Sequence, residues 1–265
     1  MKDTINVLFI GDIIGEPGFN ITKSLLPSFK TKYKTDFVIA NAENISEGMG
    51  TLEKDAKALL ALDIDVLSGG NHTMDKIQSH KYFNEAPKVL RPMNYPKGVY
   101  GRGYGIYTIP GTDIKIGILN LLGRALMKPL ECPFKAFDWA CEKIKEETNI
   151  LFVDFHAEAT AEKMAFGWYA DGRASVVVGT HTHTPTADNR VLPEGTAYIT
   201  DVGMTGAYDS VIGMKKEQSI KRFKYGTPQK HIVADGDLRF AGVICEIFTE
   251  TGKAKSIKRI FYPEF

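Results

Sequence analysis

Residues 176–183 read VVVGTHTH, the head of the longer run VVVGTHTHTPTADNR at 176–190. Three consecutive valines suit a strand buried on both faces, the kind found inside a parallel sheet. Glycine and threonine end that strand, and two histidines follow at i and i+2. Alternate residues of an extended chain point the same way, so His181 and His183 are expected to project into one space just past the strand. In an open α/β sheet, ligands sit in the crevice beyond the carboxyl ends of the strands. Other strands ending the same way would surround that space.

Such strands recur along the chain. Short apolar runs predict strands near 5–11, 36–42, 64–70, 88–93, 104–109, 113–121, 149–155, 174–180, 196–201, 240–248 and 255–262. Helical periodicity appears near 16–33, 52–63, 75–85, 134–147, 159–170 and 213–224. The first half alternates strand and helix, as a parallel sheet requires, while the tail is strand-rich and reads as antiparallel. Two packed mixed β-sheets flanked by helices, an α/β fold, satisfy both halves. With no repeat, low-complexity tract or long linker, residues 1–265 are expected to form one domain. The GxGxG in NYPKGVYGRGYG at 94–105 has no helix after it, so a dinucleotide-binding reading fails on context.

The residues on which the strands stop share a chemistry. FIGDIIG supplies Asp12, VIANAEN supplies Glu43 and Asn44, and VLSGGNHTMD supplies Asn71 and His72. LFVDFHAEAT then supplies His156, and VVVGTHTH supplies His181 and His183. A lone histidine at such a place reads as a satisfied interior or loop residue. Four of the six histidines gathered with two carboxylates and two amides do not, because buried polar groups are costly unless something pairs with them. A metal centre is that partner. The donors are nitrogen and oxygen, which suits iron, manganese or zinc, and they outnumber the needs of a single tetrahedral ion. The inventory therefore points to two metals.

Composition excludes other classes. There are 33 basic and 32 acidic residues, so no global field advertises nucleic acid or an anionic membrane. Cys132, Cys141 and Cys245 are odd in number and lack CxxC spacing, which argues against disulfides and thiolate sites and for a reducing compartment. The apolar run INVLFIG is short and leads into Asp12, so it reads as a strand rather than a signal peptide. No stretch reaches the apolar length of a membrane span. A cytoplasmic enzyme is expected, and its size suits a homo-oligomer.

The motifs resemble those of the calcineurin-like metallophosphoesterases. They stand here as GD at 11–12, NAEN at 41–44, GGNHTMD at 69–75, FHAE at 155–158 and GTHTH at 179–183. That superfamily usually opens DxH and uses Asp at its bridging position. This chain has GDIIG and the Glu43-Asn44 pair instead. Those departures resemble one branch, the bacterial YmdB-like phosphodiesterases, as do FIGDIIGEPG, GNHTMDK, DFHAEATAEKMAFGWYADGRASVVVGTHTHTPTADNR and GTAYITDVGMTGAYDSVIGM. The resemblance spans nearly the whole chain. It implies a four-layer α-β-β-α sandwich and hydrolysis of cyclic nucleotides, 2′,3′-cyclic ones included, by a hydroxide bridging two metals, most often iron. By position it implies Asp12, Glu43, Asn44 and His183 as ligands of the first metal, and Glu43, Asn71, His156 and His181 as ligands of the second. Glu43 would bridge, and His72 would be the proton donor.

Neighbouring residues have plainer readings. Asp154 and Glu158 flank His156 and are candidates to orient its ring. Asp75 reads as an N-cap, Arg173 as a salt-bridge residue, His80 and His231 as surface residues, and Asp201 as a support for the site. Two rival functions remain. A metal-dependent amidohydrolase also carries HxH after a strand, although normally on the first strand of a barrel. An RNA-linked regulator with a silent metal site would use MKKEQSIKRFKYGTPQK at 214–230 and KAKSIKRIF at 253–261, which otherwise read as a solvated helix face and a lysine-protected edge strand.

Overall fold

The computed structural model describes residues 2–264. In chain order the elements are β1 (Thr4–Ile10), β2 (Asp12–Ile13), α1 (Gly15–Lys32), β3 (Phe37–Asn41), α2 (Glu53–Leu60), β4 (Val66–Ser68), a 3-10 turn (Ile77–Ser79) and α3 (His80–Glu85). There follow β5 (Tyr104–Thr108), β6 (Lys115–Leu122), α4 (Pro133–Lys145), β7 (Leu151–His156), α5 (Thr160–Ala170) and β8 (Val176–Thr180). The tail holds β9 (Arg190–Val191), β10 (Ala197–Ile199), β11 (Met204–Ala207), α6 (Lys216–Tyr225), β12 (Leu238–Phe248) and β13 (Ala254–Tyr262).

Two mixed sheets result. The first runs β2-β11-β12-β1-β3-β4, with β13 along the other side of β12. Strands β1, β3 and β4 are parallel, and β12 is antiparallel to β1, β11 and β13. The second sheet runs β5-β6-β7-β8-β10-β9, with β6, β7, β8 and β10 parallel and an antiparallel strand at each edge.

Strand alternation builds the layers. Ile5, Val7 and Phe9 of β1 face inward and meet Ile118, Phe152, Val176 and Val178 of the other sheet, with Phe9 stacked on Phe152 at 5.5 Å. The intervening Leu8 and Ile10 face outward and meet Leu26 and Phe29 of α1 and Leu59 of α2. On the far side Leu119, Leu151, Val153 and Phe155 receive Phe137 and Ile144 of α4 and Phe166 of α5. These three apolar layers define a four-layer α-β-β-α sandwich, as the motifs implied. Each large apolar side chain buried this way contributes about 1.5–3 kcal/mol.

The expected elements are largely present, with local corrections. The strand expected at 88–93 is reduced to single bridges, Val89 to Leu67 and Leu90 to Arg102, because Pro87 and Pro92 remove donors at either end. The helix expected from 75 begins as α3 only at His80. Strands β2, β9 and β11 lie within stretches read as loops. No helix among the described residues is long and apolar enough to cross a membrane.

Candidate metal centre

All seven expected metal ligands and His72 lie at or just beyond the carboxyl ends of β1, β3, β4, β7 and β8, so both sheets contribute. Asp12 and Glu43 are buried with Asn44 and His156, and His183 is nearly so. Close backbone packing makes this possible. A Cβ on Gly11 would lie 2.1 Å from the Gly203 carbonyl oxygen, and one on Gly70 would lie 2.4 Å from both Glu43 Oε2 and His156 Nε2. Glycine at 70 therefore leaves room for the side chains that meet there.

One group of donors centres on His156. Its Nε2 lies 3.0 Å from Glu43 Oε1, from Asn71 Oδ1 and from His181 Nδ1. The tautomer follows from the partners. Thr180 Oγ1 donates to Asp154 Oδ1 at 2.7 Å and so accepts from Nδ1–H of His156 at 2.9 Å, leaving Nε2 its lone pair. Glu158 Oε2 accepts from Nε2–H of His181 at 3.0 Å, leaving Nδ1 its lone pair. Two ring lone pairs and two oxygen acceptors thus converge, an arrangement that a cation or an extra proton must relieve. Burial would depress His156, but Glu43, Asp12 and Asp154 outweigh it and hold the ring up at about 9. Burial would likewise raise Glu43, and His156 and His72 bring it down to about 2. Burial beside that imidazolium drops His181 to about 3.

A second group joins Asp12, Asn44 and His183. Nδ1–H of His183 donates to the Ile212 carbonyl at 2.9 Å, which turns the Nε2 lone pair toward Asn44 Nδ2 at 3.1 Å and Asp12 Oδ1 at 4.0 Å. Asn44 Nδ2 also donates to Glu43 Oε1 at 3.2 Å, so Glu43 touches both groups. Turning the amide over would present Oδ1 to the same place. Asp12 Oδ1 is fully buried with no hydrogen-bond partner, and burial pushes its carboxyl up against the pull of His183 and His156. An orphaned carboxylate oxygen, converging lone pairs and a donor set of nitrogen and oxygen fit a metal centre.

His181 and His183 reach these groups in an unexpected way. Neither continues the strand: His181 has φ of 100° and His183 of 64°, a left-handed region that each non-glycine residue enters at a cost of about 1–3 kcal/mol. Extended alternation does not aim them into one space. The turned backbone sends His181 to His156 and His183 to Asn44. Asp201 holds the residue between them, accepting from Thr182 N at 3.1 Å and Oγ1 at 2.7 Å, and is itself paired with Lys163 at 2.6 Å.

His72 stands apart from the donors. Its backbone N–H donates to Glu43 Oε2 at 2.8 Å, while its ring is one-third exposed and pairs through Nδ1 with Asp75 Oδ2 at 2.7 Å. Asp75 therefore caps no helix and grips His72. Glu158 orients His181 rather than His156, and Asp154 acts on His156 through Thr180. Asp154 also accepts from Asn41 at 2.9 Å and Ser68 at 2.5 Å, and burial lifts it to about 6. Arg173 pairs with Asp138 at 2.6 Å, as expected. His80 is half-buried and donates to the Met74 carbonyl at 2.8 Å, whereas His231 is exposed. Lys163, Thr180, Ser68 and Asn41 were missed. Of these only Lys163 left a trace, a lysine on the helix face that also carries Phe166 and Ala170.

Known proteins share this arrangement of chain. A 2′,3′-cyclic-nucleotide 2′-phosphodiesterase of Bacillus subtilis (strain 168) is 46% identical over 256 residues, covering 97% of this chain and 96% of that protein. The crystal structure of a novel phosphatase from Mycoplasma pneumoniae superposes with a TM-score of 0.92 at 35% identity, covering 98% and 94% of the two chains. A 5′-nucleotidase from Candida albicans SC5314 shares the fold alone, with a TM-score of 0.57 at 13% identity over 97% of this chain and 51% of that one. The family model described as YmdB-like protein matches residues 8–260, and with that extent of agreement this chain belongs to the YmdB-like family.

Proposed function

We propose that this protein is a metal-dependent phosphodiesterase acting on cyclic nucleotides, 2′,3′-cyclic ones first, through a dinuclear centre carried by one catalytic domain. The observation that carries this reading is the convergence of nitrogen and oxygen donors from both sheets around Glu43, beside the orphaned oxygen of Asp12. The substrate class is supported by the name of the Bacillus subtilis relative. Asp12, Glu43, Asn44 and His183 would hold one metal and Glu43, Asn71, His156 and His181 the other, with iron favoured and manganese or zinc compatible with the same donors. When bound, such a pair activates water and neutralises charge building on the phosphoryl oxygens.

The remaining steps belong to the chain. Asp154 and Glu158 fix the tautomers of His156 and His181, so each offers a lone pair inward. Hydrolysis adds water's oxygen to phosphorus and breaks a bond to a ribose oxygen, which leaves poorly as an alkoxide and needs a proton. His72 would deliver it from Nε2, since Asp75 occupies Nδ1 and fixes the direction of the ring. The test is to strip the protein of metal, reload it with iron(II), manganese(II) or zinc(II), and compare 2′,3′-cyclic AMP, 3′,5′-cyclic AMP and a phosphomonoester. Restored turnover favouring a diester is expected, with two metals per chain by elemental analysis. Full metal loading without hydrolysis of any ester would overturn the reading.

A further inference from the structure

Between β11 and β12 the chain leaves the sandwich as an arm. Its base is pinned to the site: the Ile212 carbonyl holds His183, and Met214 bridges both Val211 and Val233. Lys215 N–H bonds the Ile232 carbonyl, closing the arm at its neck. Beyond the neck stands α6, which buries none of its residues. Residues 220–228 are all exposed, among them Ile220 at 58%, Phe223 at 80% and Tyr225 at 60%. A ten-residue helix is marginal by itself in water, so one held clear of its own protein gains from a partner that covers it.

Charge identifies the partner. Between 215 and 230 stand six basic residues against one acidic, Glu217, a net of +5 in a chain whose total is +1. Lys215 and Lys216 are answered by Asp235 and Asp209 at the neck. Among the described residues no carboxylate lies within ion-pairing distance of Lys221, Arg222, Lys224 or Lys230, and Arg222 faces only His231, at 3.4 Å. Phe223 and Tyr225 are interleaved with these cations, and exposed aromatics among cations are what single-stranded nucleic acid stacks and pairs on. A second copy of the same helix would set like charges face to face. Lys216 is only four residues along the chain from Ile212, a span of at most about 14 Å, so a chain entering the site passes within reach of α6.

Resting on the phosphodiesterase reading above, we infer that the arm binds the sugar-phosphate chain of a single-stranded RNA whose 3′ end, a 2′,3′-cyclic phosphate, is the group hydrolysed. Water adds to phosphorus, the bond from phosphorus to O2′ breaks, the proton goes to O2′, and an RNA 3′-phosphate remains. Such ends arise when a ribose 2′-hydroxyl attacks its own 3′-phosphodiester, so an RNA-cleaving transesterification must supply the substrate.

The experiment compares the metal-loaded protein with its K221E/R222E/K224E variant on 2′,3′-cyclic AMP and on a ten-nucleotide RNA ending in a cyclic phosphate, alongside anisotropy of the labelled RNA. The RNA is expected to have the higher kcat/KM, through KM. Three phosphate contacts should cost about 20-fold in RNA binding between 50 and 200 mM salt. The variant should lose that advantage and that salt dependence while treating 2′,3′-cyclic AMP as the parent does. Equal kcat/KM for RNA and mononucleotide, with no RNA binding, overturns the inference. So does a parental oligomer that the variant dissolves without any change in RNA binding, since α6 would then be covered by a second copy. If neither ester is hydrolysed the phosphodiesterase reading fails, and the cyclic-ended substrate with it; if only the mononucleotide is hydrolysed, the arm inference alone fails.

Discussion

At the scale of single residues, position separates the proposed proton donor from the proposed ligands. His72 touches Glu43 only through its backbone, and its ring belongs to Asp75. His72→Ala should therefore keep its bound metal and lose roughly 10²- to 10⁴-fold in turnover, the usual worth of a positioned acid. Gly70→Ala should do the reverse: it removes no donor, yet its methyl would occupy the space between Glu43 and His156, so metal is lost. Elemental analysis beside turnover distinguishes them, and a His72→Ala protein that loses its metal would make His72 a ligand. Protonation offers a second handle on the metal-free protein. His156 is held near 9 against an ordinary 6.5, so its contribution to stability is fully present below 6.5 and fades as pH rises through about 9. Melting temperature of metal-free protein should fall across that window. The loaded protein should not share the fall, because a ligating histidine is neutral throughout. Identical slopes for the two forms would mean that His156 is no ligand.

Elements explain what could be read in the sequence and what could not. Strand ends were legible because polar residues following apolar runs are visible in one dimension, and Asp12, Glu43, Asn71, His156 and His181 were found that way. Strands β2 and β9 have two residues each, and β11 is buried throughout, so none has an alternation to see. The turn that separates His181 from His183 was illegible for another reason: left-handed backbone at histidine is imposed by Asp201 and the sheet around it, and no local preference announces it. Asp75 was misjudged for a local reason, its N-cap signature yielding to a side-chain contact with His72 three residues back. The strand that presents these histidines depends on Gly179, where a Cβ would stand 1.7 Å from the Thr200 carbonyl oxygen, backbone against backbone. Neither atom can swing aside. Gly179→Ala should cost about 1–3 kcal/mol or more, with the loss of metal affinity that follows from displacing His181. Urea unfolding with and without metal measures both, and an unchanged midpoint would show that the β8–β10 seam can yield.

At the scale of the whole molecule, the centre sits where strand ends of the two sheets come together. Phe9 on Phe152 and the apolar layer around them join the sheets along their length, but at the site end the facing groups are carboxylates, amides and imidazoles. Asp12, Glu43, Asn44 and Asn71 come from the first sheet, and His156, His181 and His183 from the second. Without metal that end is held by the Glu43–His156 contact and by Asn41 and Ser68 reaching across to Asp154. A metal bound by both sets would clamp the sheets together and stabilise only the folded chain. At a free concentration a thousandfold above its dissociation constant one such ion adds about 4 kcal/mol. Removal should therefore lower the melting temperature, and it should do so unevenly. Amide exchange should rise most at 69–73 and 181–184, where donors from opposite sheets meet, and least in β12 and β13, which contribute none. Glu43→Gln weakens the group common to both halves, so it should shrink the metal-dependent rise in melting temperature further than Asn71→Ala, which spares the Asp12 half. Uniform exchange changes across both sheets, or equal losses in the two variants, would mean that the donors do not act as one centre bridging the sandwich.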